Sequence, residues 1–472
     1  MLTTQLDQTR RELSPKLDPR RRAKLGQFMT PENIAAFMAA KFDKLPQRIR
    51  LVDAGAGMGA LTAAFVTHAL AQPNPPQSID VDTYEVDGQL AEILSHTLQA
   101  CARACEGTGT EFTFRIIQDD YILRSAEPLF DEHKTYNCAI LNPPYGKINV
   151  NSNWRQALRT LGIETVNLYS AFVAVAIQQL EQGGQLVAIT PRSFCNGSYF
   201  ETFRRTMLAS TALLSLHVYE SRRKAFKDDE VLQENVIFSV RKGTAQNGVE
   251  LSTDLTAARE VAFSEIVRPT DRHSFIRLPI TDNDLADRIQ SLSCTLDDLA
   301  VKVSTGRVVD FRAKEHLRKM PGPDTVPLIY PAHFDGGTVG GPIDNFKKFN
   351  ALADNANTSS LIVPEGIYVL TKRFSAKEEK RRLVAAVYEG GRVGFENHLN
   401  YFHDNGQGLS KSFAVGLAAF LNSEAVDEYF RIFSGHTQVN ATDLRNLHYP
   451  TYEQLCELAE AEDADAALEK LF

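Results

Sequence analysis

From about Leu51 to Val240, short apolar runs alternate with stretches whose apolar residues recur every three or four positions. The runs are IRLVDAGAG, SIDVDTYEVD, FTFRIIQDD, YNCAILNPPY, GQLVAITP, LLSLHVYES and ENVIFSVRK. Runs of this length bounded by turn formers predict strands, and the intervening stretches predict helices. Their alternation predicts an α/β fold, a doubly wound and mostly parallel sheet with helices on both faces. Ligands on such sheets bind outside the carboxyl ends of the strands, so the residues that close each run carry the functional information. After Arg241 the rhythm changes. A polar connection, KGTAQNGVE, leads to irregular segments such as MPGPDTVPLIYPAHFDGGTVGGPIDNF and isolated strands such as GIYVLTKRF. This predicts an arm over residues 1–25, a first domain over 26–245 and a second, α+β domain over 250–472.

Length supports two domains, because 472 residues exceed the roughly 250–300 at which a single core stops growing. The hydrophobic share of 43% and charged share of 23% are those of a soluble protein. No run approaches the roughly 18 apolar residues of a membrane span, and the first residues lack the apolar centre of a secretion signal. The expected location is therefore the cytoplasm, with no membrane partner. Six cysteines at unrelated spacings, of which only Cys101 and Cys105 are close together, give neither a zinc pattern nor a disulfide framework. Reduced thiols and no metal site are expected. The formal net charge of −8 opposes nucleic-acid binding only as a sum. Much of it sits in the tail EQLCELAEAEDADAALEK, while the arm TRRELSPKLDPRRRAK is basic. Such an arm is compatible with phosphate contact, although a bare charge run is more often a merely solvated segment.

The first strand runs into Asp53, then Gly55, Gly57 and Gly59, then the helix-like ALTAAFVTHAL. Glycines at a strand-to-helix turn let a ligand approach the backbone closely. The spacing is neither the G-x-G-x-x-G of dinucleotide sites nor the lysine-bearing phosphate loop, so a nucleoside without phosphates fits better. The second strand ends in Glu85, where a carboxylate accepts hydrogen bonds from a ribose diol. The third ends in Asp120 followed by Tyr121, an acceptor for an adenine amino group beside an apolar wall. Singly, each acid reads as an ordinary strand-end residue. Three on successive strand ends after a glycine turn read as a nucleoside site.

The fourth strand ends in Asn142-Pro143-Pro144-Tyr145. Each proline fixes φ near about −65° and holds the preceding residue extended, so the Asn142 side chain and the local carbonyls are aimed. An aimed amide oxygen and a carbonyl together accept both hydrogens of a planar amino group, and Tyr145 stacks on the ring that bears it.

Asn-Pro-Pro-Tyr after a glycine turn and acidic strand ends resembles the amino-methyltransferases that use S-adenosylmethionine. GQFMTPENIAAFMAAKF resembles the segment that closes over the cofactor's methionine end in adenine-specific DNA methyltransferases of the gamma order, which makes Thr30 and Pro31 candidate contacts. NLYSAFVAVAIQQLEQGGQLVAITPRSF matches that family's next helix and strand. Phe200, in NGSYFETFRR, takes the approximate place of a second aromatic that packs on the target base. YESRRKAFKDDEVLQENVIF is similar to the modification methyltransferases of the PstI/BsuBI type.

The resemblance implies a class I S-adenosylmethionine-dependent methyltransferase fold and methyl transfer to the N6 amino group of an adenine flipped out of double-stranded DNA. It implies Asn142 and the Pro143 carbonyl as acceptors, Tyr145 as the stacking ring, and a restriction-modification setting with a separate cognate endonuclease as a candidate partner. CTGCAG is a candidate recognition sequence on the same ground. A monomer suffices for one flipped base, and the oligomeric state stays open. In the second domain, GLAAFLNSEAVDEYFRIFSGHTQVNATDLRNLHYP resembles the ends of target-recognition domains, and it is equally a helix-loop-helix that closes the domain. Basic residues in VLTKRFSAKEEKRRL, STGRVVDFR and NHLNYFH are candidate phosphate and base contacts.

The corner alone leaves other substrates open. RNA adenine presents the same amino group, and a protein glutamine amide is also planar, although those enzymes lack a large domain after the catalytic sheet. Cytosine-amino members of the family usually carry serine in place of Asn142. A binding module with a vestigial cofactor fold predicts damage at the glycine turn or the corner, and both are intact.

Overall fold

All seven runs form strands: β1 (Arg48–Ala54), β2 (Ser78–Tyr84), β3 (Glu111–Ile117), β4 (Tyr136–Leu141), β5 (Leu180–Pro191), β6 (Thr211–Val218) and β7 (Asn235–Lys242). The computed structural model describes residues 2–13, 29–127, 135–218, 235–253, 257–269, 271, 273–278, 288–289, 291–374, 381–433 and 438–471. The chain divides into two units, 1–280 and 281–472.

In the first unit the strands join two short ones, β8 (Val249–Ser252) and β9 (Ala258–Val261), in one sheet ordered β3-β2-β1-β4-β5-β7-β6-β8-β9. Strands β3, β2, β1, β4 and β5 run parallel, and β7 is antiparallel to both β5 and β6. The order reverses between β1 and β4, the switch point at which such sheets open a crevice. Central β4 is buried at all six positions, as a strand covered on both faces must be.

Eight helices precede β6 in the described part: α1 (Leu2–Leu13), α2 (Glu32–Ala39), α3 (Ala60–Leu70), α4 (Gly88–Glu106), α5 (Tyr121–Ser125), α6 (Asn153–Thr160), α7 (Leu168–Gln179) and α8 (Glu201–Ser210). They bury two cores, one on each sheet face. One gathers Ile34, Met38, Phe65 and Leu90, and the other gathers Tyr121, Leu158, Phe172 and Phe203.

Two expectations change here. The sheet runs through the polar connection at 243–248 into β8, which pairs parallel with β6, so the first unit ends near 280 and not at 245–250. Residues 2–13 of the expected basic arm form α1, and its cations are spent internally. Arg10, only 3% exposed, donates to Asp7 at 2.8 Å, and Arg11 donates to the same carboxylate at 2.9 Å. Thr3 donates to Glu32 at 2.7 Å, which ties α1 to α2. The rest of the arm, the start of the GQF segment and residues 219–234 lie outside the described residues.

The second unit is α+β, with a six-stranded and a five-stranded sheet, both largely antiparallel, followed by helices. The expected helix-loop-helix is present as α9 (Lys411–Leu421), α10 (Glu424–Phe433) and the short α11 (Ala441–Arg445). Gly416 in α9 packs so closely on the backbone of the later helix α12 (Tyr452–Leu458) that a Cβ would lie 1.6 Å from the Leu455 carbonyl oxygen. Of the candidate phosphate contacts, Arg307 donates to Tyr401 Oη at 3.1 Å. The Arg312 guanidinium lies 5.6 Å from the ring of exposed Phe311. Among the described residues no helix is long and apolar enough to cross a membrane.

Candidate active site

A cavity opens at the carboxyl ends of β1, β2 and β4, at the switch point. Its floor is the glycine turn. Gly55, Gly57 and Gly59 have φ of +80°, +57° and +84°, left-handed values that side chains rarely adopt. The amides of Gly55 and Ala56 both donate to the Tyr84 carbonyl at 2.9 Å, which folds the turn against the end of β2. Gly55 and Gly57 line the cavity. Gly59 stands behind it, where a Cβ would meet Leu94 at 2.8 Å.

Glu85 joins the turn to the second strand end. It is 5% exposed, and its Oε2 accepts from the Gly57 amide at 2.8 Å while Oε1 accepts from the Asp87 amide at 2.8 Å. Each carboxylate oxygen carries two lone pairs, so these two bonds orient the group without exhausting it. Asp87 in turn caps α4 through the amides of Gln89 and Leu90.

Asp120 caps α5, accepting from Leu123 N at 3.0 Å, and its other oxygen accepts from Trp154 Nε1 at 2.7 Å. Tyr121 is buried, packs at 4.8 Å from Tyr84 and 5.2 Å from Phe172, and donates to Gln179 at 2.7 Å. Asp119, Leu90, Leu168 and Phe172 complete this part of the wall. Three carboxylates, Glu85, Asp119 and Asp120, face the cavity, and no Lys, Arg or His stands among the described lining residues.

The Asn142 corner forms the opposite side. Asn142 and Pro144 line the cavity, and Pro143 is buried between them. The Asn142 amide nitrogen donates to Thr30 Oγ1 at 2.9 Å, so the atom it offers as an acceptor is its carbonyl oxygen. Thr30 is itself 6% exposed and lines the cavity, whereas Pro31 lies outside it as the residue preceding α2, its carbonyl accepting from Ile34 and Ala35. Tyr145 is half-buried, donates to Asn235 Oδ1 at 3.3 Å and stands edge-on to Tyr169 with ring centroids 6.2 Å apart. Burial raises its phenol above the ordinary tyrosine range, which keeps it a neutral donor.

Asp53 and Phe200 also sit elsewhere. Asp53 does not line the cavity: it lies fully buried behind the turn and accepts from Thr62 Oγ1 at 2.7 Å. Burial pushes its carboxyl up to about 7, against the Thr62 hydroxyl and amide, which pull it down. Phe200 is a core residue, 6% exposed with its ring 5.5 Å from Tyr169, so it offers no face to a target base here. The exposed aromatic of that turn is its neighbour Tyr199, at 80%. Trp154 could not be picked out from the sequence, because its contact with Asp120 spans 34 positions and leaves no local signal.

A family model described as Eco57I restriction-modification methylase matches residues 89–226. Type II methyltransferase M.PstI of Providencia stuartii is 46% identical over 474 positions, covering 97% of this chain and 93% of that one. The chain belongs to the type II methyltransferases. M.BsuBI of Bacillus subtilis stands at 46% identity, covering 96% of this chain and 92% of its own. The methyltransferase also shares its fold with the type IIL restriction-modification enzyme MmeI, solved in complex with DNA. That likeness has a TM-score of 0.59 at 11% identity and covers 93% of this chain and 70% of that one. A DrdV–DNA complex gives 0.54 at 12% identity, over 94% and 57%. The fold of this methyltransferase is the class I arrangement that the resemblance implied.

Proposed function

We propose that this methyltransferase transfers a methyl group from S-adenosylmethionine to the N6 amino group of an adenine flipped out of double-stranded DNA, as the modification enzyme of a cytoplasmic restriction-modification system. One observation carries the proposal: the Asn142 amide is fixed by Thr30 at the edge of a cavity that holds three carboxylates and no described cation. Such a cavity repels phosphates and favours a nucleoside that carries positive charge. Glu85 suits the ribose diol, and Asp120 suits the adenine amino group, beside apolar Leu90, Tyr121 and Phe172.

S-adenosylmethionine supplies an activated methyl on a sulfonium, whose departure as a neutral thioether needs no acid. What remains for the protein is to make the amino nitrogen nucleophilic and to aim it. That lone pair is delocalised into the purine. The Asn142 oxygen and the Pro143 carbonyl accept its two hydrogens and favour a pyramidal nitrogen, so the acceptors act most strongly as the transition state forms. Because they are held before the substrate arrives, little reorganisation is needed. Tyr145 supplies the ring on which the flipped base stacks, and a base removed from the duplex costs a few kcal/mol that such stacking offsets in part. The proton leaves after methyl transfer has raised the acidity of the nitrogen, so no histidine or lysine base is required.

RNA adenine and a protein glutamine amide are the competing acceptors. Tritium transfer from labelled S-adenosylmethionine into unmethylated DNA, total RNA and a protein extract, followed by nucleoside analysis, separates them. Label recovered as N6-methyladenine in DNA is expected. Label confined to RNA or protein, or absent everywhere, overturns the proposal. Adding a cognate endonuclease to the methylated DNA then tests for a partner that the modification protects against.

A further inference from the structure

The segment that continues from the catalytic corner departs at Gly146 and closes back on it at Leu168, the first residue of α7. Its two ends are stapled together beside the corner: Leu168 N donates to the Gly146 carbonyl at 2.8 Å, and Ile148 N donates to the Val166 carbonyl at 2.8 Å. At its far end lies α6, capped by Ser152 and anchored through buried Ala157 and Leu158. Trp154, in the first turn of α6, is half-buried and lines the cavity together with Asp120. Its indole Nε1–H donates to Asp120 Oδ2 at 2.7 Å.

From this geometry we infer that Trp154 is an additional binding and positioning residue for the cofactor's purine, an inference that rests on the S-adenosylmethionine reading above. The indole does two things there. Its donor holds the Asp120 carboxylate in one orientation, with one oxygen on the α5 cap and the other on the indole, so the remaining lone pairs point where an exocyclic amino group is read. Its ring adds an apolar wall, since a buried indole presents a large flat face while its N–H takes a partner. Trp154 and the target-base corner therefore belong to one continuous segment, Asn142 to Leu168.

The chain contains a single tryptophan, so Trp154 fluorescence reports this site without a background. S-adenosylhomocysteine, titrated into the full-length protein, is expected to change the emission saturably, with a midpoint equal to the Kd from equilibrium dialysis. Loss of a hydrogen bond to a charged group corresponds to about a tenfold change in affinity, so Trp154→Phe should raise the cofactor KM by about that factor, with kcat much less affected. Trp154→Ala, which also loses the wall, should raise it further. A purely structural role would not alter recognition of the amino group, so the deciding readout is selectivity. Wild type should prefer S-adenosylhomocysteine over its inosine analogue, which lacks the amino donor, and Trp154→Phe should narrow that preference. Binding by dialysis with no change in emission, or an unchanged preference in Trp154→Phe, overturns the role of Trp154 alone. No binding of S-adenosylhomocysteine at all overturns the cofactor reading and this inference with it.

Discussion

The Asn142 side-chain amide donates to Thr30 Oγ1 at 2.9 Å, joining residues 112 positions apart. The Asn142 side-chain oxygen is thus aimed from two directions, by the two prolines next in the chain and by a hydroxyl at the amino end of α2. Asn142→Ala should leave cofactor and DNA binding within roughly tenfold while removing turnover, because it deletes an acceptor that matters most in the transition state. Thr30→Val keeps the shape and removes the hydroxyl. It should lower kcat by about ten- to a hundredfold, the scale of a misaligned reacting group, with Thr30→Ser restoring most of it. Single-turnover methylation of a duplex oligonucleotide measures both, and full turnover in Thr30→Val would remove Thr30 from the machinery.

Tyr145 separates ring from hydroxyl. Its neutral hydrogen bond to Asn235, at 3.3 Å, is worth about 1 kcal/mol at most, so Tyr145→Phe should keep kcat/KM for DNA within about fivefold. Tyr145→Ala removes the stacking face, worth about 1–3 kcal/mol for a base on an aromatic ring, and should lower kcat/KM by about five- to a hundredfold. Equal losses in the two variants would assign the role to the hydroxyl instead.

Glu85 accepts from the Gly57 and Asp87 amides and faces the cavity. Glu85→Gln keeps the shape but turns one acceptor into a donor facing an amide N–H. Calorimetric titration with S-adenosylhomocysteine should show affinity lowered by about tenfold or more, since bonds to a charged acceptor are worth about 1.5–3 kcal/mol. Unchanged affinity would show that Glu85 only braces the turn.

Asp53 makes the unit's stability depend on pH in the direction opposite to most carboxylates. Burial raises its folded pKa to about 7 from 3.8. Below the lower value both folded and unfolded chains hold the proton, and whatever stability the protonated group contributes is fully present. As pH rises toward 7 the unfolded chain releases the proton while the fold retains it, so stability is lost across this window and levels off above it. Asp53→Asn keeps an acceptor for Thr62 and cannot ionise. Urea unfolding should therefore find the variant gaining on wild type from pH 5 to pH 8, by on the order of 2 kcal/mol. A constant difference across that range would place the titration elsewhere.

The α/β alternation was legible because it is local: each strand is a self-contained apolar run closed by a turn former, and all seven form. The strand-end acids were legible for the same reason, and Glu85 and Asp120 do line the cavity. Asp53 lies behind the turn because Thr62 of α3 closes over it; sequence says which end of a strand a residue occupies but not how deeply the next helix covers it. Phe200 and Tyr199 are adjacent aromatics, and which one faces the core is decided by the single 3-10 turn that holds them, a choice with no periodic signal. In the described part of the arm, a count of basic residues omits Asp7, which sits one turn away from both Arg10 and Arg11 once the segment is helical. A polar connection is the usual mark of a linker, but β8 and β9, at one end of the sheet, are four-residue strands too short to stand out from a loop.

Those two strands have a practical bearing on chimeras. Val249, Leu251 and Val261 are buried in the same core as Leu213 and Leu216 of β6. A graft spliced at the polar connection would exchange β8 and β9 for those of the other parent and strip the flank of β6 of its native cover. A junction placed beyond Leu278, itself buried in that core, keeps every strand of the first sheet with its own partners. Hybrids cut there inherit an intact first unit and exchange only the second one.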